Sequence, residues 1–101
     1  MPKLYQYLGL EVFFFSNEHE PIHVHGRRQS RECKAELIIV DGKIVEIRII
    51  GVSGKAPLES GELRDFEALV RAKADEIVEK WVDFFVRHKK VQTEIINQRI
   101  K

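Results

Sequence analysis

The chain is short of several things. It has one cysteine, Cys33, in 101 residues, so an intrachain disulfide cannot form and a zinc site built on several cysteines is excluded. Its longest apolar run is "VFFF", at 12–15, far below the roughly 17–25 residues of a membrane-spanning helix. No apolar h-region follows a basic start, so a secretory leader is not expected. Net charge is +1, which removes any global bias toward nucleic acid or a membrane surface. There is no internal repeat and no low-complexity segment. A lone thiol and no leader fit a reducing cytoplasm, so a cytoplasmic location is expected.

What is present is ordinary for a globular domain. Apolar residues make up 44% and charged residues 33%, too apolar for a disordered chain. The length suits a single domain, 1–101, with one core. Charge is unevenly spread. Arg27, Arg28, Arg31 and Lys34 stand against Glu32, and Arg87, Lys89, Lys90, Arg99 and Lys101 against Glu94, with the stretch 59–79 acidic between them. Such segments are solvated surface or bind an anionic partner.

Residues 8–16, "LGLEVFFFS", read as a strand whose Leu8, Leu10, Val12 and Phe14 share one face. Phe13 and Phe15 fall on the other face, as a dimer or partner contact or as buried residues. Pro21 pre-sets an extended entry to 22–26, and 26–32 looks like a turn or loose hairpin loop. In "CKAELIIVDGKIVEIRIIG" two branched runs flank Asp41-Gly42, a hairpin. Its parity requires odd residues to pair with odd, which favours a three-residue loop at 40–42 with Gly42 at positive φ, and sets Glu36 opposite Glu46. Residues 51–57 read as a loop. From Ser60, as N-cap, a helical apolar period runs to about Val86. A straight helix of that length would reach roughly 40 Å at 1.5 Å per residue, so a break near 71–75 is one alternative. The tail "VQTEIINQRI" is an edge strand or a short helix, the strand being favoured.

The expected fold is therefore α+β: an antiparallel sheet of three to four strands packed on one long C-terminal amphipathic helix in two layers, with an extra C-terminal edge strand. Trp81, Phe66, Phe84, Leu37, Ile47 and Phe14 are its expected core.

One stretch carries chemistry: "EPIHVHGRRQSR". On an extended strand His23 and His25 point the same way, their Cα atoms roughly 6.5–7 Å apart. Two imidazoles so placed can share a divalent metal such as zinc, with His19, Glu18 or Glu20 completing the set. Together with Arg27 and Arg28 they can instead bind an anion, since guanidinium is a bidentate donor. A third use is catalytic, with His23 and His25 as general acid and base and the arginines as charge stabilisers in phosphodiester or RNA cleavage. The plain alternative is solvent-side residues or hydrogen-bond partners that hold the loop. Cys33 reads as a small buried residue, His88 as a cation near a helix end, and "GVSGK" at 51–55 lacks the spacing of a phosphate loop.

The run "VFFFSNEHEPIHVHG" resembles the small bacterial family known as domain of unknown function 4160. Met1-Pro2, the apolar strand ending at Ser16-Asn17, and Pro21-Ile22-His23-Val24-His25 match it in order, with Ile22 in place of a second proline. Trp81, Phe84 and Phe85 are similar to the family's late aromatics, and the likeness covers most of 1–87. The resemblance brings no defined activity. It implies a small protein partner encoded alongside, in a layout similar to toxin–antitoxin modules, and a nucleic-acid-related role.

Two functions are carried forward. The first is a non-enzymatic binding module in a toxin–antitoxin-like pair, with His23, His25, Arg27 and Arg28 as its recognition edge. The second is a histidine- or metal-dependent hydrolase of phosphodiesters. A homodimer through Phe13 and Phe15 is a third expectation.

Overall fold

A computed structural model describes residues 2–14 and 22–100. Lys3–Tyr7 forms β1 and Leu10–Phe13 forms β2. Leu8 and Gly9 join them with φ of 50° and 88°. Two successive left-handed residues make the turn whose twist suits an antiparallel pair. The strand expected over 8–16 is thus corrected. Its first two residues are a turn, and an unanticipated strand precedes them. Leu10, Val12 and Phe14 do share the buried row.

Ile22–Arg28 forms β3, Arg31–Val40 β4 and Lys43–Gly51 β5. The loose loop expected over 26–32 is instead continuous ladder, with Arg27 opposite Glu32 and Arg28 opposite Arg31. A tight turn containing Gln29 at φ 56° closes it. The β4–β5 hairpin also differs in detail. Its turn has two residues, Asp41 and Gly42, both at positive φ. The parity that demanded an odd loop is rescued by a bulge: Ile39 pairs with Ile44 but Ile38 with Glu46, leaving Val45 extra. Odd then pairs with odd, Leu37 with Ile47 and Ala35 with Ile49, and Glu36 faces Arg48 rather than Glu46.

Ser60–Ala72 is α1 and Ala74–Phe85 is α2. The Glu62 carboxylate accepts the backbone N–H of Glu59 at 2.9 Å, half of a capping box that starts α1 one residue before the expected cap. At Lys73, φ −110° and ψ 15° leave the helical region and separate the two helices. A straight helix over 60–86 would exceed the longest dimension of the fold, 33 Å, so the break lets one apolar stripe stay on the sheet. Glu94–Ile96 is β6, parallel to β1.

The sheet order is β5-β4-β3-β2-β1-β6. Among the described residues the fold is therefore a strand-dominant, six-stranded mixed sheet with two short helices on one face. It is not three to four antiparallel strands on one long helix. The strand not anticipated is β1, hidden before a turn of non-glycine Leu8, and the C-terminal edge strand pairs with it as β6. The helix face buries Phe66, Leu37 and Phe14, with Ile47, Trp81 and Phe84 partly buried against them. Gly26 of β3 is essential there: a Cβ would lie 2.6 Å from the Phe66 ring.

Candidate functional site

Gly26 turns toward α1, so its neighbours on β3 turn away. His23, His25 and Arg27 consequently project from the sheet face opposite the helices, as strand alternation requires. The register completes the surface. Phe13 of β2, His25 and Lys34 of β4 lie in one row, Glu11, Arg27 and Glu32 in the next, and His23 sits opposite Glu36.

The rings pack tightly. His23 and His25 meet edge to face at 5.4 Å between centroids. Phe13 stacks on His25 at 5.5 Å and 19°. The Arg27 guanidinium lies over the other ring of that stack, 4.9 Å from the Phe13 centroid, a cation–π contact. His25 Nδ1 lies 3.0 Å from Glu32 Oε2, the Nδ1–H donating to the carboxylate. His25 is 4% exposed and Glu32 2%. A carboxylate on Nδ1 fixes ring orientation and tautomer. Here the pair lies inside the protein.

The four-residue recognition edge does not stay together. Arg28 projects to the helix side, its Nε 3.1 Å from Glu62 and its Nη1 donating to the Leu8 carbonyl at 3.0 Å. Arg31 holds Glu62 with both prongs, at 2.9 and 2.5 Å. The Arg31 hydrogen bonds, with the Glu59 N–H and the Arg28 charge, hold the Glu62 carboxyl down at about 2. Arg27 reaches Glu11 at 3.5 Å, and Lys3 reaches the other oxygen of Glu11 at 2.8 Å. The Lys3 hydrogen bond keeps that carboxyl below the usual range. The three arginines of the basic segment are thus met by Glu11 of β2 and Glu62 of α1.

For a metal, His19 is the third ligand of interest, and with Glu18 and Glu20 it lies outside the described residues. Among the described residues no group of three His, Cys, Asp or Glu side chains is placed to hold a metal ion. Cys33 is buried on the helix face, where the Leu58 N–H points at its Sγ, 3.5 Å away. That is a packing role. His88 lies beyond α2, at φ 56°. Phe13, read as either a contact residue or a buried one, is 2% exposed and so buried within the chain, while Phe15 lies outside the described residues.

Sequence reasoning missed Glu32 and Glu62, the partners that decide what the cations do. Glu32 stood in a segment read as loop, where no face is assigned. Extending the alternation of β3 back across a tight turn would have placed it beside His25.

The family described as domain of unknown function DUF4160 matches residues 9–82. The chain belongs to this family. The DUF4160 match runs from the first turn through β2, β3, β4, β5 and α1 into α2, so it contains the whole His25 cluster. It leaves out β1 and β6, which pair with each other at one edge of the sheet. No curated protein and no solved structure matches the chain.

Proposed function

We propose that this DUF4160 chain is a non-enzymatic binding module that works in the cytoplasm through a small protein partner, as one half of a toxin–antitoxin-like pair. The observation that carries the reading is the burial of the His25–Glu32 pair. A hydrolase needs its imidazole within about 3 Å of a substrate proton, directly or through one water. An imidazole sealed at 4% exposure holds the sheet face in shape instead. Pairing of Arg27, Arg28 and Arg31 with internal carboxylates supports a protein partner over nucleic acid, because guanidinium groups already matched have little charge to offer phosphates. The recognition surface is the helix-free face around His23, Arg27, Lys34 and Glu36, half-exposed and of mixed charge.

The test is co-expression with a small protein taken from the adjoining reading frame, followed by co-purification. The pair is expected to purify together, and the double variant R27E/K34E to lose at least about tenfold in affinity while its far-UV spectrum is unchanged. Purified protein is expected to leave RNA intact. RNA cleavage abolished by H23A in a variant whose far-UV spectrum and Tm are unchanged, or stoichiometric zinc or nickel after chelator-free purification, would replace this reading with the hydrolase.

A further inference from the structure

Strand β5 is the outermost strand of the sheet, with β4 on one side and, among the described residues, no strand on the other. It is nine residues long, Lys43–Gly51. The opposite edge, β6, has three. Long exposed edges are templates for strand pairing. The exposed apolar side chains single out the same edge. Six large hydrophobics are exposed among the described residues, and four of them, Ile39, Val40, Val45 and Ile50, belong to the β4–β5 hairpin. On the helix side Leu37 and Ala35 of β4 are 1% and 0% exposed, yet their partners Ile47 and Ile49 on β5 are only partly buried. The helix layer covers β4 and stops short of β5.

We propose that β5 is the interface of a twofold homodimer, two copies pairing antiparallel edge to edge about Ile47 and joining their sheets into one. The partner follows from the sequence of the strand. Pairing that keeps each face with its like must be centred on a residue, since a centre between residues sets the apolar row against the charged one. Centred on Glu46 the strand sets Glu46 against Glu46, and on Arg48 it sets Arg48 against Arg48. Centred on Ile47 it sets Glu46 against Arg48 twice and Ile47 against Ile47. Within one chain Arg48 Nε already donates to Glu46 Oε2 at 2.8 Å, both side chains half-exposed. Two copies would make an alternating square of charge on one face and close the half-open Ile47–Ile49 row on the other. The register against β4 is regular from Glu46 to Gly51, and the twofold about Ile47 would set Ile49 against the exposed Val45 of the other copy, at the bulge. Those charges also act against other edges, because most registers meet a like charge or an apolar residue. Self-pairing through β5 uses none of the residues around His25, so it stands or falls apart from the reading above.

Sedimentation and light scattering across a dilution series test this on the full chain. The wild type is expected to run as a dimer that dissociates on dilution. R48E and E46R are each expected to weaken dimerisation at least about tenfold, since two opposite-charge pairs become two like-charge pairs. Both positions are exposed, and far-UV spectra and Tm check that the variants fold. An equimolar mixture of R48E and E46R is expected to form the dimer again, because the two acidic side chains of the R48E strand then meet the two basic side chains of the E46R strand. A wild type that stays monomeric, single variants that dimerise like the wild type, or a mixture that stays monomeric would each overturn the proposal.

Discussion

Replacing His25 and Glu32 by alanine, singly and together, reads directly whether the pair is a structural unit. In H25A the Glu32 carboxylate, 2% exposed, loses the donor 3.0 Å away. Leaving a buried charged group without its partner costs about 3–5 kcal/mol. The stack on Phe13 goes too, worth about 0.5–1.5 kcal/mol. In E32A the buried imidazole loses the carboxylate that accepts its Nδ1–H, a loss of about 1–3 kcal/mol. Independent effects would add. Since H25A already contains the lost hydrogen bond, the double variant is expected to be no worse than H25A alone, a coupling of about 1–3 kcal/mol. Urea unfolding followed by far-UV dichroism and Trp81 fluorescence measures all four corners, with equal m-values as the check on two-state behaviour. Single variants each within about 0.5 kcal/mol of wild type would refute the reasoning. The pair would then be open to solvent in practice, and the case against catalysis would lose its main support.

Gly26→Ala is expected to destabilise by about 1–3 kcal/mol, because its Cβ would meet the fully buried Phe66 ring at 2.6 Å. Gly51→Ala, with nothing within 4 Å of its Cβ, is the control and should stay within about 0.5 kcal/mol; equal Tm for the two would sink the close-approach account. Glu62 gives an acid signature. Its folded carboxyl titrates at about 2 against an ordinary 4.5, so its stabilisation is present above about 4.5 and is lost as pH falls toward 2. E62Q should flatten the stability curve across that window, and an unchanged slope would remove Glu62 as the partner of Arg31.

Much of the candidate site was legible because strand alternation is a local rule. Ile22, His23, Val24 and His25 alternate, and their same-side imidazoles follow from φ and ψ alone. Hairpin parity was legible for the same reason: Leu37 must share a face with Ile47 whatever the turn. The turn itself was not, because a two-residue turn plus a bulge and a three-residue loop satisfy the same parity. The twist of the paired strands chooses between them. The helical region was readable from the spacing of Phe66, Val70 and Ile77. Its break at Lys73 has no Gly or Pro to announce it, and the size of the sheet beneath sets it. β1 escaped notice since Leu8, an unexpected residue for φ 50°, looked like the start of the next strand.

By itself the amino-acid order determined the elements that rest on neighbours: the extended histidine run, the Asp41-Gly42 reversal, the amphipathic stripe and the family to which they belong. Tertiary structure alone decided which carboxylates meet which cations. Arg31 and Glu62 are 31 residues apart and Tyr5 and Glu76 are 71 apart, distances over which no periodicity constrains a side chain. Arg28 departed from its neighbour Arg27 because a strand sends alternate residues to opposite faces, and only the packed helix says which face is crowded. His25 was sealed by a phenyl ring and a glutamate delivered from two other strands, and such burial is a property of the assembled layers.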